Sequence, residues 1–162
     1  MRDNRTTMMK NSAFYVEISL KGKFFDAFGA DVKNSISEIG ISGVKGVSVS
    51  EVYLLQGDIS KTGVEKIAKE LFLDIITQNL RVYAKPSGKK NMAVAEIWYK
   101  EGVTDPVSFT ALKGIKDLGF AKNISVKCGK RYEIEGRLTR QQVETVCKKI
   151  LANTLIQEYR IL

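Results

Sequence analysis

The sequence contains no histidine. It therefore lacks the commonest general base and the commonest nitrogen ligand for a metal. Cysteine is almost as scarce. Cys128 and Cys147 have no neighbour at zinc-ligand spacing. They read as buried free thiols of a reducing cytoplasm, with a disulfide as the second reading. No apolar run reaches the roughly 18 residues of a membrane-spanning helix. The polar start has no apolar signal segment, and residues 1–12 read as a frayed arm. No glycine-rich phosphate loop is present. These absences leave no residue to assign to catalysis, a cofactor or a metal.

What the sequence has is repetition. Asp26 and Asp105 lie 79 residues apart, as do Glu17 and Glu96, and Lys21 and Lys100. Ile39-Gly40-Ile41 matches Leu118-Gly119-Phe120, and Leu71, Asp74 and Gln78 match Ile150, Asn153 and Gln157 at the same offset. A constant offset at so many separated places is the mark of a tandem duplication. It divides the chain into a unit over 13–84, a linker over 85–92 and a second unit over 93–162. Two such units are expected to pack about a pseudo-two-fold axis, as a homodimer does.

Within each unit the expected order is βαββαβ. Residues 14–20 alternate, with Phe14, Val16, Ile18 and Leu20 on one face, and residues 93–99 repeat the pattern. A helix over 27–39 carries Phe28, Val32, Ile36 and Ile39 as its apolar stripe. Asp26 is placed to cap it, and Asp105-Pro106 does the same for the second unit. Gly40 and Gly119 end these helices. Two short strands follow, and Gly129-Lys130 reads as the hairpin turn between them. Matching Val47 and Val49 to Ile124 and Val126 drops the offset to 77 here. The second helices open on capping boxes, Thr62 with Glu65 and Thr139 with Gln142. The fold class is thus α+β, with small antiparallel sheets and helices on one face. Trp98 and Tyr15 fall on the supposedly open strand face, which implies that the other unit covers it.

The net charge is +8, from 26 basic and 18 acidic residues. It is uneven: residues 1–84 carry 11 basic and 10 acidic side chains, and residues 85–162 carry 15 and 8. Most of the lysines are scattered, as on a solvated face. Lys127, Lys130 and Arg131 form the densest basic group and are the candidate partner contact. Asp26 and Asp105 read as caps rather than a carboxylate dyad. Glu17 and Glu96 read as interface or solvent residues, and Lys21 and Lys100 as solvated.

The second unit resembles PurS, the small subunit of phosphoribosylformylglycinamidine synthase of purine biosynthesis. The likeness rests on Asp105-Pro106, Leu118-Gly119-Phe120, Gly129-Lys130, Cys147, Leu151-Ala152-Asn153 and Ile156-Gln157-Glu158-Tyr159. The first unit is more distant, with Ala27 in place of the proline. Its residues 71–78 are similar to the PurS-like N-terminal region of the fused large synthases. The resemblance implies a subunit with no activity alone, which holds a synthetase (PurL-type) and a glutaminase (PurQ-type) together. Ammonia from the glutaminase would then reach the synthetase site without loss to water. Self-association beyond this pairing stays open.

Two other families share the order of elements. A tandem ACT-type regulatory module requires a small-molecule ligand between the units, near a glycine turn such as Lys21-Gly22. An RNA-recognition motif requires stacking aromatics on its central strands. Residues 131–135 alternate acids with apolar residues instead, so nucleic acid is not the expected partner.

Overall fold

The computed structural model describes residues 12–120 and 123–162. The frayed arm expected over 1–12 falls almost wholly outside the described residues. Among the described residues six strands form one antiparallel sheet: β1 (Ser12–Leu20), β2 (Val44–Gly57), β3 (Gln78–Tyr83), β4 (Met92–Tyr99), β5 (Ile124–Gly136) and β6 (Gln157–Ile161). Four helices join them: α1 (Ala27–Glu38), α2 (Lys61–Ile67), α3 (Pro106–Asp117) and α4 (Arg140–Val146). After α2 and α4 the chain continues as π-helical segments, Ala68–Phe72 and Cys147–Leu151. The molecule is α+β.

Two expectations are corrected here. The hairpins do not form. β2 and β5 are continuous strands of 14 and 13 residues, so each half runs β-α-β-α-β. Nor are there two sheets, because β2 and β5 pair along nearly their whole length and the strand order is β3-β1-β2-β5-β4-β6. Gly129 sits inside β5 for a packing reason. A Cβ there would lie 2.6 Å from the Ile97 carbonyl oxygen and 2.8 Å from the Trp98 ring. The glycine makes room for tryptophan rather than for a turn.

The offset does not drop to 77 either. Asp26 Oδ2 accepts from the Val49 amide and Asp105 Oδ2 accepts from the Cys128 amide, which keeps the spacing at 79. Both carboxylates do the same two jobs. One oxygen caps the helix, at Gly29 N or at Val107 N and Ser108 N. The other takes a strand amide just past the last β1–β2 or β4–β5 pair, where the ladder has lost its partner. α2 is capped by Ser60 instead of Thr62, while the Thr139–Gln142 capping box forms as expected.

The helices cover one face of the sheet in two clusters, and each cluster mixes the halves. Ile36 of α1 packs with Val143 and Val146 of α4 over Ala95, Ile97, Tyr132 and Ile134. Ile115 of α3 packs with Val64 and Ile67 of α2 over Val16, Ile18, Tyr53 and Leu55. Each fully buried aliphatic side chain contributes about 1.5–3 kcal/mol of transfer free energy, so both halves depend on the crossing. Not every residue of the expected stripes takes part: Phe28 is 68% and Ile75 77% exposed.

The other face carries no helix, yet Val52, Val94 and Glu96 on it are fully buried. Curvature accounts for this. β1 and β6 are four strand spacings apart, about 19 Å on a flat sheet. The Arg160 guanidinium on β6 nevertheless lies 5.7 Å from the Tyr15 ring centroid on β1. Trp98 on β4 meets Tyr15 edge-on at 6.2 Å. The sheet bends toward this face and makes it an inner one. Residues 84–91 cross it as a strap: the Ser87 carbonyl accepts from Arg131, and Lys89 bridges to Glu133 at 2.8 Å.

Candidate functional site

Alternation along β5 separates the three expected contact residues. Lys127 and Arg131 project from the inner face and Lys130 from the helix face, because strand side chains alternate. Lys127 is exposed, in a recess shared with Tyr15, Leu54, Trp98, Glu158 and Arg160. Lys130 is exposed, with its ammonium 4.9 Å from the centre of the Phe28 ring. Arg131 is 1% exposed and is withdrawn from any surface contact.

Arg131 is instead the centre of a buried ion network. Its Nη1 donates to Glu96 Oε1 at 3.2 Å, its Nε donates to Glu133 Oε1 at 3.2 Å, and its Nη2 donates to the Ser87 carbonyl at 2.9 Å. Glu17 Oε2 lies 3.8 Å from Nε. Around this core the same pair is built twice: Arg81 of β3 donates to Glu17, and Arg160 of β6 donates to Glu96. Trp98 Nε1 also donates to Glu96 at 3.2 Å. Glu96 comes from β4, Glu17 from β1, and Arg131 joins the two halves.

The electrostatics follow from burial and pairing. Burial alone would lower the guanidinium pKa values of Arg81 and Arg160, but their glutamates hold them above the ordinary value. Burial would raise Glu133, and Lys89 and Arg131 hold it below the usual carboxylate value. The Tyr83 phenol is pushed up by burial and then by Glu17 and Glu96. Burial likewise pushes the Cys147 thiol up to about 11, and Cys128 higher still. Both are free, buried thiols, and neither is a poised nucleophile.

The remaining sequence candidates have structural partners. Lys21 Nζ donates to the Ile75 and Ile76 carbonyls, and Lys100 Nζ to the Thr154 carbonyl, so each pins a loop at the solvent-exposed surface. Asp26 and Asp105 have both oxygens engaged, which agrees with capping and not with a dyad. Glu17 and Glu96 are buried rather than solvated, each takes an arginine of its own half, and Glu17 also approaches Arg131 of the other; the partners Arg81 and Arg160 were missed. The signal was available: Arg81 and Arg160 are 79 residues apart, like the glutamates they serve. No group of three or more metal-ligating side chains occurs among the described residues, and no helix among them is long and apolar enough to cross a membrane. The arrangement ties strands together and leaves no carboxylate of the network unpaired.

Two comparisons bear on what such a molecule is. Residues 92–162 match the PurS family, described as phosphoribosylformylglycinamidine (FGAM) synthase. The phosphoribosylformylglycinamidine synthase subunit PurS of Archaeoglobus fulgidus is 39% identical over 67 residues, which is 38% of this chain and 84% of the relative. The ACT-type reading gains no support from either. With 84% of a 39%-identical relative covered, the chain belongs to the PurS family.

Proposed function

We propose that this chain is a non-catalytic assembly subunit of FGAM synthase, acting in purine biosynthesis in the cytoplasm. The observation that carries the reading is the PurS match over residues 92–162, on a structure whose buried charges Glu17, Glu96 and Arg131 are held in ion pairs. Residues 13–84 are read as a first PurS-like unit and residues 93–162 as a second, joined by the strap and paired about an approximate two-fold axis. The repeated Asp caps, the repeated lysine-to-loop bonds, the repeated Glu–Arg pairs and the repeated π-helical segments support that reading. One chain then does the work of two PurS units.

The partners on this reading are a synthetase subunit and a glutaminase subunit. The synthetase uses ATP, and the glutaminase supplies ammonia from glutamine. A rigid body that aligns the two sites and keeps water out serves transfer of a volatile, basic intermediate. Lys127 and Lys130, exposed on opposite faces of β5, remain the partner-facing lysines. Affinity-tagged chain is expected to retain both subunits from an extract of its source. A chain that retains neither, while folded by circular dichroism, contradicts the assembly role.

A further inference from the structure

We propose that the junction between the halves is built for a single arginine, and that Arg131 in the second half, where its counterpart in the first is Val52, makes each half fit the other rather than a second copy of itself. The proposal rests on reading the halves as paired units. The strand register places the junction. Glu51 and Lys130 face each other across β2 and β5 and are themselves 79 residues apart, so this pair marks its midpoint. One step away on the inner face, Glu17 faces Val52 across β1 and β2, and Glu96 faces Arg131 across β4 and β5. Val52 and Arg131 are therefore the same position of the two halves, with unlike occupants.

The flanking positions are unlike as well. Tyr15 matches Val94, Ser19 matches Trp98, Ser50 matches Gly129 and Leu54 matches Glu133, each at the offset of 79. These differences are complementary. Trp98 uses the space over Gly129 and reaches Tyr15 of the other half. Arg131 reaches Glu96 and Glu133 of its own half and approaches Glu17 of the other.

Space and like charge at the buried centre supply the physical reason, since Val52 and Arg131 are both fully buried. The ion network of the inner face pairs Glu17 with Arg81, Glu96 with Arg160 and Arg131, and Glu133 with Arg131 and Lys89. A junction of two second halves would bury two arginines beside the midpoint and lose the Tyr15–Trp98 contact. A junction of two first halves would set valine on both sides of the centre and leave each Glu17 with Arg81 alone. The first crowds two buried guanidiniums together, and the second leaves the volume of the Arg131 side chain unfilled.

Variants of the full-length chain reproduce these cases at the central position. Val52→Arg places arginine on both sides, Arg131→Val places valine on both sides, and the double variant exchanges them. The readouts are the thermal midpoint and the emission of Trp98, the single tryptophan, whose Nε1 donates to Glu96. Each single substitution is expected to lower the midpoint by about 10 °C. The exchange is expected to recover at least half of the summed loss, and to return the red-shifted Trp98 emission of Arg131→Val toward wild type. A Val52→Arg protein within about 2 °C of wild type overturns the proposal, as does an exchange no better than the sum of the singles. If a single variant fails to fold, cooperative unfolding of the exchanged protein supports the proposal and its absence overturns it. Retention of the synthase subunits by wild type is scored separately. Retained subunits with an additive cycle would refute the one-arginine junction and leave the assembly role standing.

Discussion

Glu96→Ala is expected to lower stability by about 3–5 kcal/mol, the cost of breaking a buried ion pair on one side. The glutamate is completely buried and accepts from Arg131, Arg160 and Trp98. Removing it strands a 1%-exposed guanidinium with Glu133 and a more distant Glu17. For a chain of this size the thermal midpoint falls by roughly 2–4 °C per kcal/mol, so a drop of about 10 °C is expected in a differential scanning experiment. Against a total of about 5–15 kcal/mol, the loss is large. The contrast is Lys61→Ala. Its salt bridge to Glu65 spans 3.9 Å between side chains 60% and 42% exposed, where solvent screening leaves under about 1 kcal/mol. Equal effects from the two substitutions would show that the buried network adds no more to stability than a surface pair.

Gly29→Ala is expected to cost about 3 kcal/mol, although alanine is the better helix former. At an exposed helical site the change would gain up to about 1 kcal/mol. Here the new Cβ would stand 2.0 Å from the Val47 carbonyl oxygen, and that atom belongs to the backbone of the central strand. α1 must lift from the sheet, which loosens Ile36 from the core it shares with α4. It also weakens the Gly29 amide bond to Asp26 at 2.8 Å. Overpacking of this kind costs typically 1–3 kcal/mol, and a rigid backbone neighbour places it at the upper end. Gly114→Ala in α3 is the control. Its Cβ would approach Leu71 Cδ1 at 3.1 Å, the far end of a side chain that can turn away. Thermal midpoints of the two variants are expected to differ by several degrees, with Gly29→Ala the lower.

What the sequence revealed of this fold was local. The alternation of residues 14–20, the caps at Asp26 and Asp105 and the Thr139–Gln142 box each depend on neighbours a few positions away, and each is present. The junction of β2 with β5 was misread for a specific reason. A period-two pattern matches itself after a slip of two residues, so Val47 and Val49 fitted Ile124 and Val126 as well as their true partners, Val126 and Cys128. The glycine signal was ambiguous in a similar way. Gly129 marks a close approach by Trp98, and a turn leaves the same mark in sequence.

The candidate site was less legible. Arg131 alternates onto the polar face of its strand, and on a flat sheet that face meets solvent. Only the curvature and the strap over Ser87 bury it. No pattern within β5 encodes either. The paired spacing of Glu17 with Arg81 and of Glu96 with Arg160 was the one available clue, since both ion pairs span 64 residues. The sharing of cores between α1 and α4 and between α3 and α2 arises from how the halves interlock, and each helix's own stripe is silent about which strand pair it will cover.

The assembly role is tested most directly by comparing two nitrogen sources. Purified synthetase and glutaminase are assayed for FGAM formation with and without this chain, first with glutamine and then with ammonium salt. The account predicts that the chain raises the glutamine-driven rate several-fold and leaves the ammonia-driven rate unchanged. A glutamine-driven rate indifferent to the chain, or FGAM formation by the chain alone, contradicts it.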